Sequence, residues 1–381
     1  MNEKIKILHI ITNLPIGGAQ ENTLYTLELL DKDKYDISLA CNMTGDHVER
    51  AKLIPRCKIY NIKALGIKID LVNDIKAIAE LVKLIRKGRF DIVHTHSSKP
   101  GVVGRLACFF SRTPIVIHTV HGFPFHEFMT WSQRRFYIAV EKAMNVITTH
   151  LITVSTLNLK KIVRLRMAKQ KSLTNIYSGI DIKKFSNSPK KDLRDELYLS
   201  NSVKLIGFIG RFSEQKSPLT LLRAVGKVVN RCHDCHFLFV GDGPKKSEME
   251  SFVQHNKLDE KVSFLGFRLD IPEILHSLDL FVLSSIYEGL GRSITEALCC
   301  KVPVVATAVE GVPELIRHKK TGLLVRPNDP VQLSNAIIYA LENPERMKQM
   351  ANVGSLFVRE NFDVSNMVKK IDAVYTSLIN V

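Results

Sequence analysis

Short runs of aliphatic and β-branched residues alternate along the chain with stretches of helical periodicity, the pattern of successive strand–helix units. In the first half the runs read KIKILHI, DISLAC, KIYNI, DIVHTH, PIVIHTV, HLITVS and LTNIYSG, with helices between them such as Asn73 to Lys87 and Lys99 to Phe110. These strands are apolar almost continuously rather than at alternate positions, so both faces of the sheet they form must be covered. A second series follows, KLIGFIG, HFLFVG, VSFLG, LDLFVLSS, PVVAT and TGLLVRP, separated by helices such as Pro218 to Asn230 and Arg292 to Cys300. Between the series, Asp181 to Asn201 lacks a core pattern and reads as a linker with a short helix. The spacing predicts an α/β protein of two Rossmann-like, doubly wound domains facing a cleft, with ligands at the carboxyl ends of the strands. The expected divisions are 1–185, a linker 186–202, a second domain 203–362 and a terminal helix 363–381. That helix carries a stripe of Met367, Val368, Ile371, Val374 and Leu378, which must cover something. Pattern leaves open which domain it covers, a return to the N-terminal domain included.

A chain of 381 residues is long enough for two cores, and 45% hydrophobic with 24% charged residues excludes disorder, collagen and coiled coil. Lys4 and Lys6 precede an apolar ILHII, but His9, Thr12 and Asn13 break the run, so it reads as a first strand and not as a signal peptide. No stretch reaches about 18 uninterrupted apolar residues, which removes a spanning helix. The seven cysteines are odd in number and lack framework spacing, and free thiols in a reducing compartment fit them. Cys232 and Cys235 form a lone CxxC with no second pair at zinc-ribbon distance. Charge adds one feature: 54 Lys and Arg against 38 Asp and Glu, a net +16, unevenly placed. Up to Lys190 there are 30 basic and 15 acidic residues; beyond it there are 24 and 23. The first half therefore faces something negative: nucleic acid, an anionic membrane or a phosphorylated substrate.

The candidate chemistry lies at strand ends. Gly17 and Gly18 follow the first strand and open a helix, where backbone N–H groups can meet a phosphate, although GG is also an ordinary turn. The stretch is not GxGxxG, so nicotinamide dinucleotide binding is not supported. The second domain opens with a strand ending at Gly210, then Arg211 and Lys216 ahead of a helix start. Cations belong at the other end of a helix unless an anion sits there too, which points to a bound diphosphate. Beyond LDLFVLSS, the loop Glu288-Gly289-Leu290-Gly291 enters a helix that carries Glu296, a carboxylate placed to accept hydrogen bonds from a ribose diol. His94, His96, His118 and His121 close two adjacent strands; a bonded structural role competes for each, and His121, just before a glycine, is the best functional candidate. Phe123 to Tyr137 holds six of the chain's 28 aromatics. Phe125, Phe128 and Trp131 with Arg134 and Arg135 suit a headgroup-level interface or base stacking, against core packing as the alternative. Lys160, Lys161 and Arg164, with Lys83, Arg86, Lys87 and Arg89, extend the positive surface.

Taken in order, GGAQ, HTHSSKPGVVGRLA, HTVHGFPF, SGIDIKKF, GRFSEQKSP, VGDGP, FLGFRLDI, EGLGRSITEA and GVPELI followed by TGLLV resemble the retaining nucleotide-sugar glycosyltransferases of the GT-B architecture, family four, bacterial surface-polysaccharide type. The resemblance covers essentially the whole chain. It implies that Arg211 and Lys216 hold the donor diphosphate, that Glu296 binds the ribose, and that Glu288 with the Gly289 to Gly291 backbone meets the sugar and phosphates. Gly17 and Gly18 would close on the diphosphate, and His121 would hydrogen-bond the donor sugar near the reacting carbon. Retention by departure and attack on one face competes with a covalent intermediate on Glu288. Asp31-Lys32-Asp33 has the form of a metal-binding DxD but lies in a turn, and the family resembled needs neither metal nor cofactor. SGID stands where many relatives have NGID.

The expected activity is transfer of a hexosyl or N-acetylhexosaminyl group to a lipid-linked or saccharide acceptor in surface polysaccharide assembly. The enzyme would be cytoplasmic and peripheral at the anionic inner face of the cell membrane. A nucleotide-sugar epimerase on the same fold is one alternative. A basic nucleic-acid-binding protein is another, but it lacks any recognised motif, and the glutamates at strand tips would repel a phosphate backbone.

Overall fold

The computed structural model describes residues 3–380 apart from 67–68, 127–128 and 190. The chain divides into two compact units, Met1–Gly179 with Val364–Val381, and Ile180–Asp363.

In the first unit β1 (Ile5–Asn13), β2 (Tyr35–Asn42), β3 (Cys57–Asn61), β4 (Ile92–His96), β5 (Ile115–Val120), β6 (His150–Thr153) and β7 (Leu173–Asn175) form a parallel sheet in the order β3-β2-β1-β4-β5-β6-β7. In the second, β8 (Lys204–Ile209), β9 (Cys235–Val240), β10 (Val262–Gly266), β11 (Leu280–Leu283), β12 (Val304–Thr307) and β13 (Leu323–Val325) are ordered β10-β9-β8-β11-β12-β13. Both are doubly wound Rossmann orders, and the thirteen apolar runs of the sequence are the thirteen strands. Strand order reverses between β1 and β4 and again between β8 and β11. Loops leaving these neighbours diverge to opposite faces, opening a crevice at their carboxyl ends where such folds bind ligands.

β1 shows why its strand is apolar throughout. Ile7 and Ile11 enter the core on one face, Leu8 and Ile10 the core on the other. The helices Leu71–Gly88 and Ser98–Ser111 cover the second face. The first face is closed by helix Gly18–Leu29 and by the terminal helix Val364–Ile379, whose Val364, Met367, Val368, Ile371, Val374 and Tyr375 pack with Leu24 and Leu27. The terminal stripe therefore covers the N-terminal unit.

Residues 186–202 are not a separate linker, because the second unit begins at Ile180. Phe185 and Leu193 are buried, Arg194 pairs with Asp279 at 2.5 Å, and Arg268 bonds Glu196. Among the described residues of 186–202 Leu193 is the one buried apolar side chain, and ion pairs and hydrogen bonds hold the segment to its unit. Such a segment has no hydrophobic period for a sequence reading to find. All seven cysteines are free thiols.

Candidate active site

In the second unit the loops following β8 and β11 flank the point where strand order reverses. Ser284 Oγ donates to the carbonyls of Lys216 and Ser217 at 3.1 and 2.9 Å, and Ile286 N donates to Gln215 O at 2.8 Å. These bonds place the Lys216 ammonium against the Glu288 carboxylate, and Ser285 Oγ donates to the same Glu288 oxygen at 2.7 Å. Glu288 is buried, and Lys216 runs its stem over Gly210, the residue before Arg211. Arg211 is exposed at the end of β8.

Gly289, Leu290 and Gly291 follow Glu288 and lead into helix Arg292–Cys299. Leu290 turns its side chain into the core, which leaves only its backbone for a ligand. Gly291 has φ 95°, a left-handed conformation that suits glycine, and as the residue preceding the helix it offers no side chain to cap it. Glu296, one turn in, accepts a bond from Arg292 Nε at 2.8 Å. The sequence reading overlooked Glu310, beyond β12, which accepts from Glu288 N at 3.1 Å while holding φ 38°. Strain at a non-glycine residue that touches the Glu288 backbone marks it as part of the same site. Its signal in the sequence was only its place before GVPELI.

In the first unit, Gly17 precedes helix Gly18–Leu29, another start without a side-chain cap. Gly17 is extended at φ 178° and bends no tight turn by itself. His121 follows β5 and is held low, to about 4, because burial disfavours the imidazolium. His9, His94, His96 and His118 are buried and kept neutral by the same cause. Among the described residues, His9, His94 and His96 bring ligand nitrogens within 4.8 Å of one another. Their nitrogens are nevertheless engaged, His9 Nδ1 with His96 Nε2 at 2.9 Å and those of His94 with Tyr375 and Thr119. The DxD carboxylates serve the protein: Asp31 accepts from the N–H groups of Asp33 and Lys34, and Asp33 pairs with Arg56.

The expected membrane surface needs correcting at Phe125. Its ring is fully buried, packed with Phe123, Leu151, Ile162 and Met167, because the loop leaving β5 turns Phe123 and Phe125 inward over β6. Lys161 lies with its ammonium 4.9 and 4.8 Å from the Phe123 and Phe125 ring centres and is only partly exposed. Phe128 lies outside the described residues. Trp131 is 72% exposed under the Arg135 guanidinium, Arg134 is half-buried, and Lys160 and Arg164 are exposed. A second apolar patch went unnoticed in the sequence: Ile69, Leu71, Val72 and Ile75, at the start of helix Leu71–Gly88, are all exposed, Leu71 at 75%. The outer positions of that helix also carry Lys76, Lys83, Arg86 and Lys87. Alongside lies a cavity of about 370 Å³ lined in part by Asn13, Asn42, Lys63, Asp70, Asn73 and Lys99.

Residues 16–184 match the family described as Glycosyltransferase Family 4, and residues 189–356 the family described as Glycosyl transferases group 1. The chain is 30% identical to the Escherichia coli UDP-Gal:alpha-D-GlcNAc-diphosphoundecaprenol alpha-1,3-galactosyltransferase, over 99% of this chain and 98% of that protein. It belongs to the GT-B glycosyltransferases. The transferase is also 22% identical to the capsular polysaccharide biosynthesis glycosyltransferase CapM of Staphylococcus aureus, over 98% of this chain and 97% of that one. Among solved structures, Anabaena HepE in complex with UDP and glucose matches with a TM-score of 0.82 at 23% identity, covering 98% of this chain and 100% of that one. Sucrose-phosphate synthase from Thermosynechococcus elongatus matches with 0.83 at 22% identity, covering 99% and 100%. These structures share the fold. The transferase acts on nucleotide sugars, as a relative of enzymes of bacterial polysaccharide and lipid-linked sugar synthesis.

Proposed function

We propose that the transferase moves a hexosyl or N-acetylhexosaminyl group from a UDP-sugar, with retention and without a metal ion, to a lipid-linked saccharide at an anionic membrane surface. The observation that carries the donor half is the Lys216–Glu288 pair at the reversal point of the second sheet. An ammonium has three protons to donate, so Lys216 can keep its bond to Glu288 while turning another proton to a diphosphate oxygen. With Arg211 it would neutralise the charge that grows on the leaving diphosphate as the glycosidic bond breaks. The backbone N–H groups at Gly291 and Arg292, at a helix start, would meet phosphate, and Glu296 the ribose. Because Glu288 Oε1 already accepts from both Lys216 and Ser285, we assign Glu288 to holding Lys216 rather than to attack on the anomeric carbon. In this reading the acceptor enters from the face the leaving group vacates, and a diphosphate oxygen takes its proton.

The acceptor half rests on the full-length likeness to an enzyme named for a diphosphoundecaprenol acceptor, and on charge. The first unit holds 29 basic and 15 acidic residues, the second 25 and 23. The Ile69 to Ile75 patch beside basic helix positions provides apolar contact for a bilayer and attraction for its headgroups. Incubation with UDP-, GDP- and ADP-sugars and a polyprenyl-diphosphate saccharide tests the reading. UDP release that requires acceptor, with an anomeric coupling in the product matching the donor, is expected. An isomerised free nucleotide sugar would instead identify an epimerase, and inversion would refute the same-face path.

A further inference from the structure

On the face of the first sheet covered by the terminal helix, four histidines, a tyrosine and a threonine form one hydrogen-bonded chain. His121 Nε2 meets His96 Nδ1 at 3.3 Å, and His96 Nε2 meets His9 Nδ1 at 2.9 Å. His9 Nε2 meets Tyr375 Oη at 3.3 Å, Tyr375 Oη meets His94 Nδ1 at 2.6 Å, and His94 Nε2 meets Thr119 Oγ1 at 2.7 Å. Register brings them together: His9 pairs with His94 across β1 and β4, and His96 with Thr119 across β4 and β5. Each neutral imidazole has one proton and one lone pair, so every link constrains the next, and the chain has two self-consistent directions.

The contacts of Tyr375 choose between them. Hydroxyl donors make shorter bonds than ring N–H donors, so at 2.6 Å Tyr375 donates to His94, and at 3.3 Å it accepts from His9. His9 Nδ1 must then accept from His96 Nε2–H, and His96 Nδ1 from His121 Nε2–H. Within this chain His96 Nδ1 is the acceptor that selects which ring nitrogen of His121 carries the proton.

We infer that His96, His9 and Tyr375 are positioning residues that hold His121 as its Nε2–H tautomer, leaving Nδ1 to accept a hydrogen bond from a substrate hydroxyl. This rests on the reading of His121 as a residue of the sugar site. The wrong tautomer presents a donor where an acceptor is needed and costs turnover with the geometry otherwise intact.

The test is two-bond proton–nitrogen correlation on the full-length protein with ¹⁵N-labelled histidine, His121 being assigned by its loss in His121→Asn. Wild type should show His121 as Nε2–H alone. His96→Phe and Tyr375→Phe should show mixed tautomers and a kcat lower by roughly tenfold or more, at a donor KM within about twofold of wild type. Tyr375→Phe keeps the ring and removes one hydroxyl, so it serves if His96→Phe melts early. An Nδ1–H form in wild type, or an unchanged tautomer in both variants, overturns the inference. Stoichiometric zinc binding lost in His94→Gln overturns it too, because the cluster would then be a metal site. Failure of the underlying functional reading shows separately, as wild-type turnover in His121→Asn.

Discussion

Lys216 and Glu288 hold each other in the resting protein, and under the proposed function a donor diphosphate shares that lysine. Lys216→Ala should therefore lower turnover by about 10²- to 10³-fold, as removal of a group stabilising a leaving anion does. Lys216→Ala and Glu296→Ala should both abolish the thermal shift that a UDP-sugar gives the wild type; normal shifts in both would dissolve the donor-site assignment. Gly311 sets a different constraint. A Cβ there would lie 2.3 Å from Gly289 O and 2.9 Å from Leu290 Cα, backbone atoms that cannot step aside cheaply. Gly311→Ala should cost about 1–3 kcal/mol in urea unfolding and displace the loop that presents Glu288. Lys216 stood out in the sequence because a cation just ahead of a helix start breaks the ordinary placement rule, whereas Glu288 and Glu296 were singled out by the glycine-rich loop they bracket and by motif order. Glu310 and Tyr375 were not, because each acquires its meaning from a partner far along the chain, Glu288 for one and His94 for the other.

Among the elements, helix Leu71–Gly88 shows how one segment serves two environments. Ala77, Leu81 and Ile85 fill the core at helical spacing, Asp70 caps the start by accepting from Asn73 N, and Arg89 ends it in the left-handed region. Leu71, Val72 and Ile75 fall outside that stripe and stand in solvent. Leu71→Glu combined with Ile75→Glu should weaken co-sedimentation with anionic vesicles and leave turnover on a water-soluble acceptor unchanged. Binding of wild type should fall as salt rises, and binding indifferent to both salt and these substitutions would remove this helix from the membrane contact. The loop from Phe123 illustrates the opposite error. Its aromatic richness was visible, but composition does not say which way a ring points, and the Phe123–Phe125 pair belongs to a core.

Over the whole molecule, buried neutral histidines link stability to pH. The unfolded chain protonates histidine near pH 6.5, whereas the folded protein resists down to about 4 at His121 and about 3 at His9. Below pH 6.5 the unfolded state binds more protons, so stability is full above that value and declines as pH falls, by up to about 1.4 kcal/mol per pH unit for each such group. Thermal melts at pH 7.5, 6.5 and 5.5 should show Tm slightly lower at the second than at the first and lower again at the third; a constant Tm would mean the imidazoles are not held neutral by burial. The sequence by itself determined the thirteen strands, the two doubly wound sheets and the uneven charge, because these follow from local periodicity and composition. It also drew attention to the loops after β8 and β11, where motif order narrows what short residue strings can mean. Only the tertiary structure decided that the terminal stripe covers the first sheet, that 186–202 belongs to the second unit, and that His9, His96, His121 and Tyr375 share one chain of protons. The reason is physical: a buried polar side chain takes its role from whichever partner satisfies it, and strands distant in sequence supply that partner only after the sheet has formed.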